Sequence, residues 1–168
     1  SYFVSRSLYT KNKVIPYELK KGYDRLRRFV IQGTYELSVA ILAMEALYTP
    51  PSKWAEMRAG RQKAPMARTL SADDLAIVKG WTKELLDNID RTVDAAYLRR
   101  WHYGPSDHWD NSNTQYALLG LYAAQLCGVD VPATIWSAAA AHWLQVDIPQ
   151  GAPAARSEEH TSELQSPC

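Results

Sequence analysis

Twice along this chain the charged residues almost vanish. Gly33 to Tyr48 (GTYELSVAILAMEALY) carries only Glu36 and Glu45, and Ser112 to Val129 (SNTQYALLGLYAAQLCGV) carries none. Neither run reaches the length needed to span a bilayer, and neither alternates with the two-residue period of a half-exposed strand. Their ends suit helices. Gly33 can cap the first, Glu36 sits in its first turn where the dipole favours an anion, and Pro50-Pro51 stop it. In the second, Ser112 and Gln115 form a capping-box pair, or Asn113 is the cap, and Gly128 suits the left-handed position beyond the last turn. Tyr116, Ala117, Leu118, Leu119, Leu121, Tyr122, Ala123 and Ala124 go all the way round that second cylinder. A helix with no wet face is expected to be buried on every side.

Two further stretches read as striped helices. From Ala72 to about Ile89, Ser71 is the cap and Asp74 the acid three residues on. Leu75, Val78, Leu85 and Ile89 fall on one side, with Asp73, Lys79, Lys83, Glu84 and Asp87 on the other, the pattern of a surface helix. From Pro132 to about Val146, Ile135, Trp136, Ala139, Ala140, Trp143 and Leu144 form a broad apolar stripe. The order is charge-poor, striped, charge-poor, striped, and Thr34 and Thr114 open the two charge-poor helices alike. This predicts an all-α chain with inner helices ringed by outer ones. Residues 1–32 read as an N-terminal flank and 33–150 as the helical repeats, with a basic linker at 49–70. Residues 151–168 read as a disordered tail.

Composition narrows the classes of function. Of 168 residues, 19 are Lys or Arg and 18 Asp or Glu, a balance that gives no argument for nucleic acid or an anionic membrane as partner. The chain does not begin with Met and reads as an internal fragment. Arg156 to Ser166 (RSEEHTSELQS) is similar to the in-frame translation of a sequencing-library adapter. Setting that tail aside leaves Cys127 as the one cysteine, so no internal disulfide is expected.

Asp110 to Pro132 with Ala133 to Trp136 (DNSNTQYALLGLYAAQLCGVDVP, then ATIW), followed by HWLQ at 142–145, resembles the prenyltransferase and squalene-cyclase repeat family. The resemblance spans roughly Gln32 to Gln145. It implies an (α/α) toroid, here a partial one, in which a Thr-opened inner helix precedes a Pro-started outer helix. It also implies where chemistry would sit. The protonating cyclases use an Asp-x-Asp-Asp cluster, and Asp73-Asp74 lacks its first acid. The zinc-dependent members carry an Asp-x-Tyr-His-Thr segment. The matching stretch, Asp110 to Thr114, has Ser112 for the Tyr and Asn113 for the His, and an amide is a poor zinc ligand.

Local residue chemistry adds one candidate. His102, Asp107, His108 and Asp110 lie within nine residues of loop, and imidazole with carboxylate could bind a metal. A structural turn that caps the following helix is the alternative. Trp101, Trp109 and Tyr116 are candidate walls of an apolar ligand pocket at the mouth of the helical ring. His142 reads as a surface or half-buried packing residue, and the basic run Lys53, Arg58, Arg61, Lys63 and Arg68 as solvated charge able to touch a partner. The expectation is a non-catalytic scaffold, or a module for an apolar or isoprenoid-like ligand or a protein partner, within a larger protein. It needs no cofactor. The alternative is a terpenoid cyclase or prenyltransferase whose catalytic residues lie outside this stretch.

Overall fold

The computed structural model describes residues 17–50, 55–56, 59–60, 67–89, 100–103 and 109–146. Its helices are α1 (Tyr17–Leu26), α2 (Thr34–Leu47), α3 (Ala72–Asp87), α4 (Asn111–Leu126) and α5 (Ala133–Val146). Among the described residues there is no strand; Ile89 with Trp101, and His102 with Trp109, form isolated antiparallel bridges. The fold is all-α. None of the described helices is long and apolar enough to cross a membrane.

Local chemistry sets the helix ends. Ser71 caps α3 by accepting the Asp74 amide at 3.2 Å, as the sequence implies. α4 begins earlier than expected. Its cap is Asp110, not Ser112 or Asn113, with Oδ1 accepting the Asn113 backbone amide at 2.7 Å and Oδ2 the Asn113 side-chain amide at 2.6 Å. A carboxylate satisfies the orphan donors and complements the dipole as well, so it outcompetes the neutral caps downstream. At the other end Gly128 adopts φ +82°. Its N–H bonds Gln125 O, and the Val129 N–H reaches back to Ala124 O, both at 3.0 Å. That double return closes the helix and needs a left-handed residue, hence glycine.

α2 and α4 lie side by side and run the same way. Tyr35 meets Tyr116 near their starts, with ring centroids 4.6 Å apart. Gly120 crosses Ser38 so closely that an added Cβ would stand 2.9 Å from Ser38 Cα. Arg68 ties the far ends: its Nε donates to Glu45 Oε1 at 2.7 Å and its backbone N–H to Leu126 O at 2.6 Å. α3 runs the opposite way. Asp74 at its start meets Tyr48 at the end of α2, and Asn88 at its end donates to Gln32 O, just ahead of α2, at 2.7 Å. α5 likewise returns along α4, bringing His142 to Asn111. Each charge-poor helix is thus followed by an antiparallel companion. Leu37, Ile41, Met44, Val78, Leu85, Ala117, Leu121 and Ala124 form the core between them.

α1 joins this group through Tyr23, whose hydroxyl donates to Ala43 O of α2 at 2.9 Å. Its last turn leads to Arg27, clamped on Asp74, and the chain then runs back beside α2 to Gly33. This return segment, residues 27–33, forms a strap.

The expectation of burial on every side does not hold for α2 and α4. Tyr35 and Val39 on α2 are 43% and 40% exposed, and Leu119 and Tyr122 on α4 are 47% and 44% exposed. Burying a whole cylinder requires neighbours all round it. α3 packs on both helices, and the strap lies beside Tyr35 and Val39 without covering them; Leu119 and Tyr122 on α4 stay open to solvent as well. Conversely, α3 is less of a surface helix than its stripe suggests, because Asp74, Trp81 and Thr82 are buried as well.

Candidate functional site

The residues singled out in the loop before α4 are placed in separate settings. Trp101 is fully buried, and its indole Nε1 donates to Leu85 O at 2.7 Å. Its backbone N–H donates to the Thr114 hydroxyl at 3.3 Å, which in turn donates to Asp110 O at 2.9 Å. Trp101 is therefore a bolt between α3 and the start of α4. Trp109 carries the Arg100 guanidinium 3.9 Å above its ring and meets His142 edge-on at 5.7 Å. Tyr116 packs on Tyr35 across the helix pair.

Of the metal candidates, Asp107 and His108 lie outside the described residues. His102 is half-buried, and its backbone N–H donates to Asn88 O at 3.4 Å. Asp110 spends both carboxylate oxygens on Asn113. Burial alone would raise the Asp110 pKa, but hydrogen bonds from Asn113 and Ser112 outweigh it and hold the group below the usual carboxylate range. No three His, Cys, Asp or Glu side chains among the described residues converge as a metal site would require.

Other polar groups are also committed to structure. Asp73 is exposed, whereas Asp74 is 3% exposed and accepts Arg27 Nε at 2.6 Å, Arg27 Nη2 at 2.8 Å and the Tyr48 hydroxyl at 2.5 Å. The Arg27 pair holds its carboxyl below the ordinary value against the opposing effect of burial. Sequence reasoning found the cap but missed the ion pair, since Arg27 is remote in the chain. Arg68, read as solvated, is instead buried on Glu45; Lys53, Arg58, Arg61 and Lys63 lie outside the described residues. His142 is 2% exposed rather than at the surface, with Nε2 3.3 Å from Asn111 Oδ1. Burial lowers its pKa, and the charge of Arg100 lowers it further. Cys127 is buried too, and its thiol is pushed up to about 12, by burial first and then by Glu45.

Two apolar features face outward. One is the open side of the α2–α4 pair, where Val39 and Leu119 flank the Tyr35–Tyr116 contact. The other is a groove of about 600 Å³ between the strap and α2, lined by Leu26, Phe29, Ile31, Val39 and Ala43 among others, with Glu36 at its Gly33 end. Trp101, Trp109 and Tyr116 do not line that groove. Comparison with protein-family models, with curated proteins and with solved structures yields no match.

Proposed function

We propose that the chain is part of a helical repeat of the prenyltransferase and squalene-cyclase kind, a partial (α/α) toroid. In this reading α2 and α4 are inner staves and α3 and α5 their outer companions. The protein acts as a non-catalytic scaffold that holds an apolar, isoprenoid-like ligand or a protein partner. The supporting observation is the parallel pairing of α2 with α4, with Tyr35 on Tyr116 and Ser38 on Gly120. A ring built this way turns one side of each inner helix toward a central space, and the exposed residues of this pair include the apolar Tyr35, Val39, Leu119 and Tyr122 beside Glu36, Gln115 and Gln125. The non-catalytic reading draws on Asp74 and Asp110, whose carboxylates are occupied by structural partners.

The full chain should bind farnesol, a neutral isoprenoid alcohol, as followed by tryptophan fluorescence. Leu119→Lys should weaken that binding severalfold by placing a charge on the apolar side. Unchanged affinity in the variant would remove the proposed binding face. Incubation with squalene or farnesyl diphosphate should return the substrate intact. A cyclised or hydrolysed product would favour an isoprenoid enzyme instead.

A further inference from the structure

The strap groove has a chemistry of its own. It is built from α1, residues 27–33 and α2, and it shares Tyr35 and Val39 with the outward side of the α2–α4 pair. Its long wall is Tyr35 to Ala43 of α2, a rise of about 12 Å at 1.5 Å per residue. The rest of its lining is mostly aliphatic and aromatic (Leu26, Phe29, Val30 and Ile31, with Gln32 and Gly33), and its volume of about 600 Å³ lies within the usual range for small-molecule sites. Phe29 in the strap is shared with a cationic rim. The Arg25 guanidinium sits 5.3 Å above the Phe29 ring, and Arg28 and Lys21 line the adjoining hollow on α1. The hollow holds four cations, Lys20, Lys21, Arg25 and Arg28, against the one carboxylate of Asp24, which is paired with Lys20 and Arg27 and lies in the field of Arg28. The opposite end of the groove carries the Glu36 carboxylate.

We infer that this groove binds a free long-chain carboxylate, one per chain, the part of its tail nearest the head lying along α2 and its head on Arg25 and Arg28. Polarity fixes the direction. An anionic head is drawn to the guanidinium rim and repelled from the Glu36 end. The site takes a monomeric ligand rather than a bilayer because the apolar surface is concave, flanked by the strap on one side and the helix on the other.

The test is a titration of the full chain with cis-parinaric acid, a fluorescent long-chain carboxylate, and with its methyl ester. Saturable emission at one probe per chain is expected, with the ester about tenfold weaker or worse, the equivalent of losing one charge-assisted hydrogen bond. Arg25→Glu with Arg28→Glu should weaken the acid by a similar factor, as should either single change to a lesser degree. Val39→Trp, which fills the groove, should abolish binding, and Lys79→Ala, at an exposed position of α3 outside it, should leave the titration unchanged. Circular dichroism confirms that each variant is folded. Equal affinity for acid and ester, indifference to the arginine changes, or undiminished binding in Val39→Trp would each overturn the proposal. So would attachment to phosphatidylserine vesicles without any response to the free probe. Dimerisation through this face that the probe cannot compete would do the same.

Discussion

Gly120 shows how much one missing methyl group decides. In mid-helix a glycine costs about 1 kcal/mol relative to alanine, yet here the methyl would strike the Ser38 backbone of α2. Overpacking at a rigid backbone contact costs about 1–3 kcal/mol, so the steric term wins. Gly120→Ala should therefore lower the thermal midpoint despite its better propensity. Gly80→Ala, in α3 with open space around the added Cβ, should raise the midpoint, with a gain in stability of up to about 1 kcal/mol. Two shifts of the same sign would refute the packing account. Cys127 gives a second residue-scale expectation. A buried thiol with its pKa near 12 has almost no thiolate at neutral pH. In a Cys168→Ser chain, a thiol-reactive dye at pH 8 should label Cys127 only as fast as the protein unfolds. Rapid labelling under native conditions would show that the α4 end is open.

At the scale of elements, the joints between helices are polar, and two of them respond to pH in separable windows. His142, where α5 meets the start of α4, has a lowered pKa in the fold. The unfolded chain then binds the extra proton first, so stability falls as pH drops below about 6.5. Asp74, joining α1, α2 and α3, also has a lowered pKa. Its contribution is complete above the unfolded value near 3.9 and is lost as pH falls through the lower folded value. Urea midpoints across pH should show both declines. His142→Gln should flatten the upper one while leaving the acid one in place. Persistence of the upper decline in that variant would place its origin elsewhere. Sequence patterning could identify the helices that meet at these joints but not the partners. Arg27 reaches Asp74 across 47 positions, and no periodicity links them.

For the molecule as a whole, the open side of the α2–α4 pair governs behaviour in solution. Exposed Tyr35, Val39, Leu119 and Tyr122 lie on two adjacent helices, an arrangement that favours self-association. Light scattering at rising concentration should detect aggregates of the native chain. Leu119→Lys with Tyr122→Lys should suppress them with an unfolding free energy within about 1 kcal/mol of the parent, because both side chains already touch solvent. A large loss of stability would mean that these residues are packed inside the protein. Persistent aggregation with stability intact would move the sticky surface to the strap groove, where Phe29 and Val30 are also exposed.

The amino-acid pattern alone determined that the chain is helical, where α2 to α5 lie, that Ser71 caps α3, and that Gly128 ends α4. Each of these follows from interactions within a few residues: apolar spacing, an oxygen near an orphan amide, or a left-handed backbone that suits glycine. Tertiary structure decided which side of each charge-poor helix is covered, and placed Trp101, His142 and Arg68 in buried joints rather than at a surface. It also brought Arg25 beside the Phe29 groove and Asp74 onto Arg27. Those outcomes depend on which helices become neighbours, a choice made by packing between segments far apart in the chain. Composition gives every residue a preference for burial, but only the assembled neighbours determine whether there is anything to be buried against.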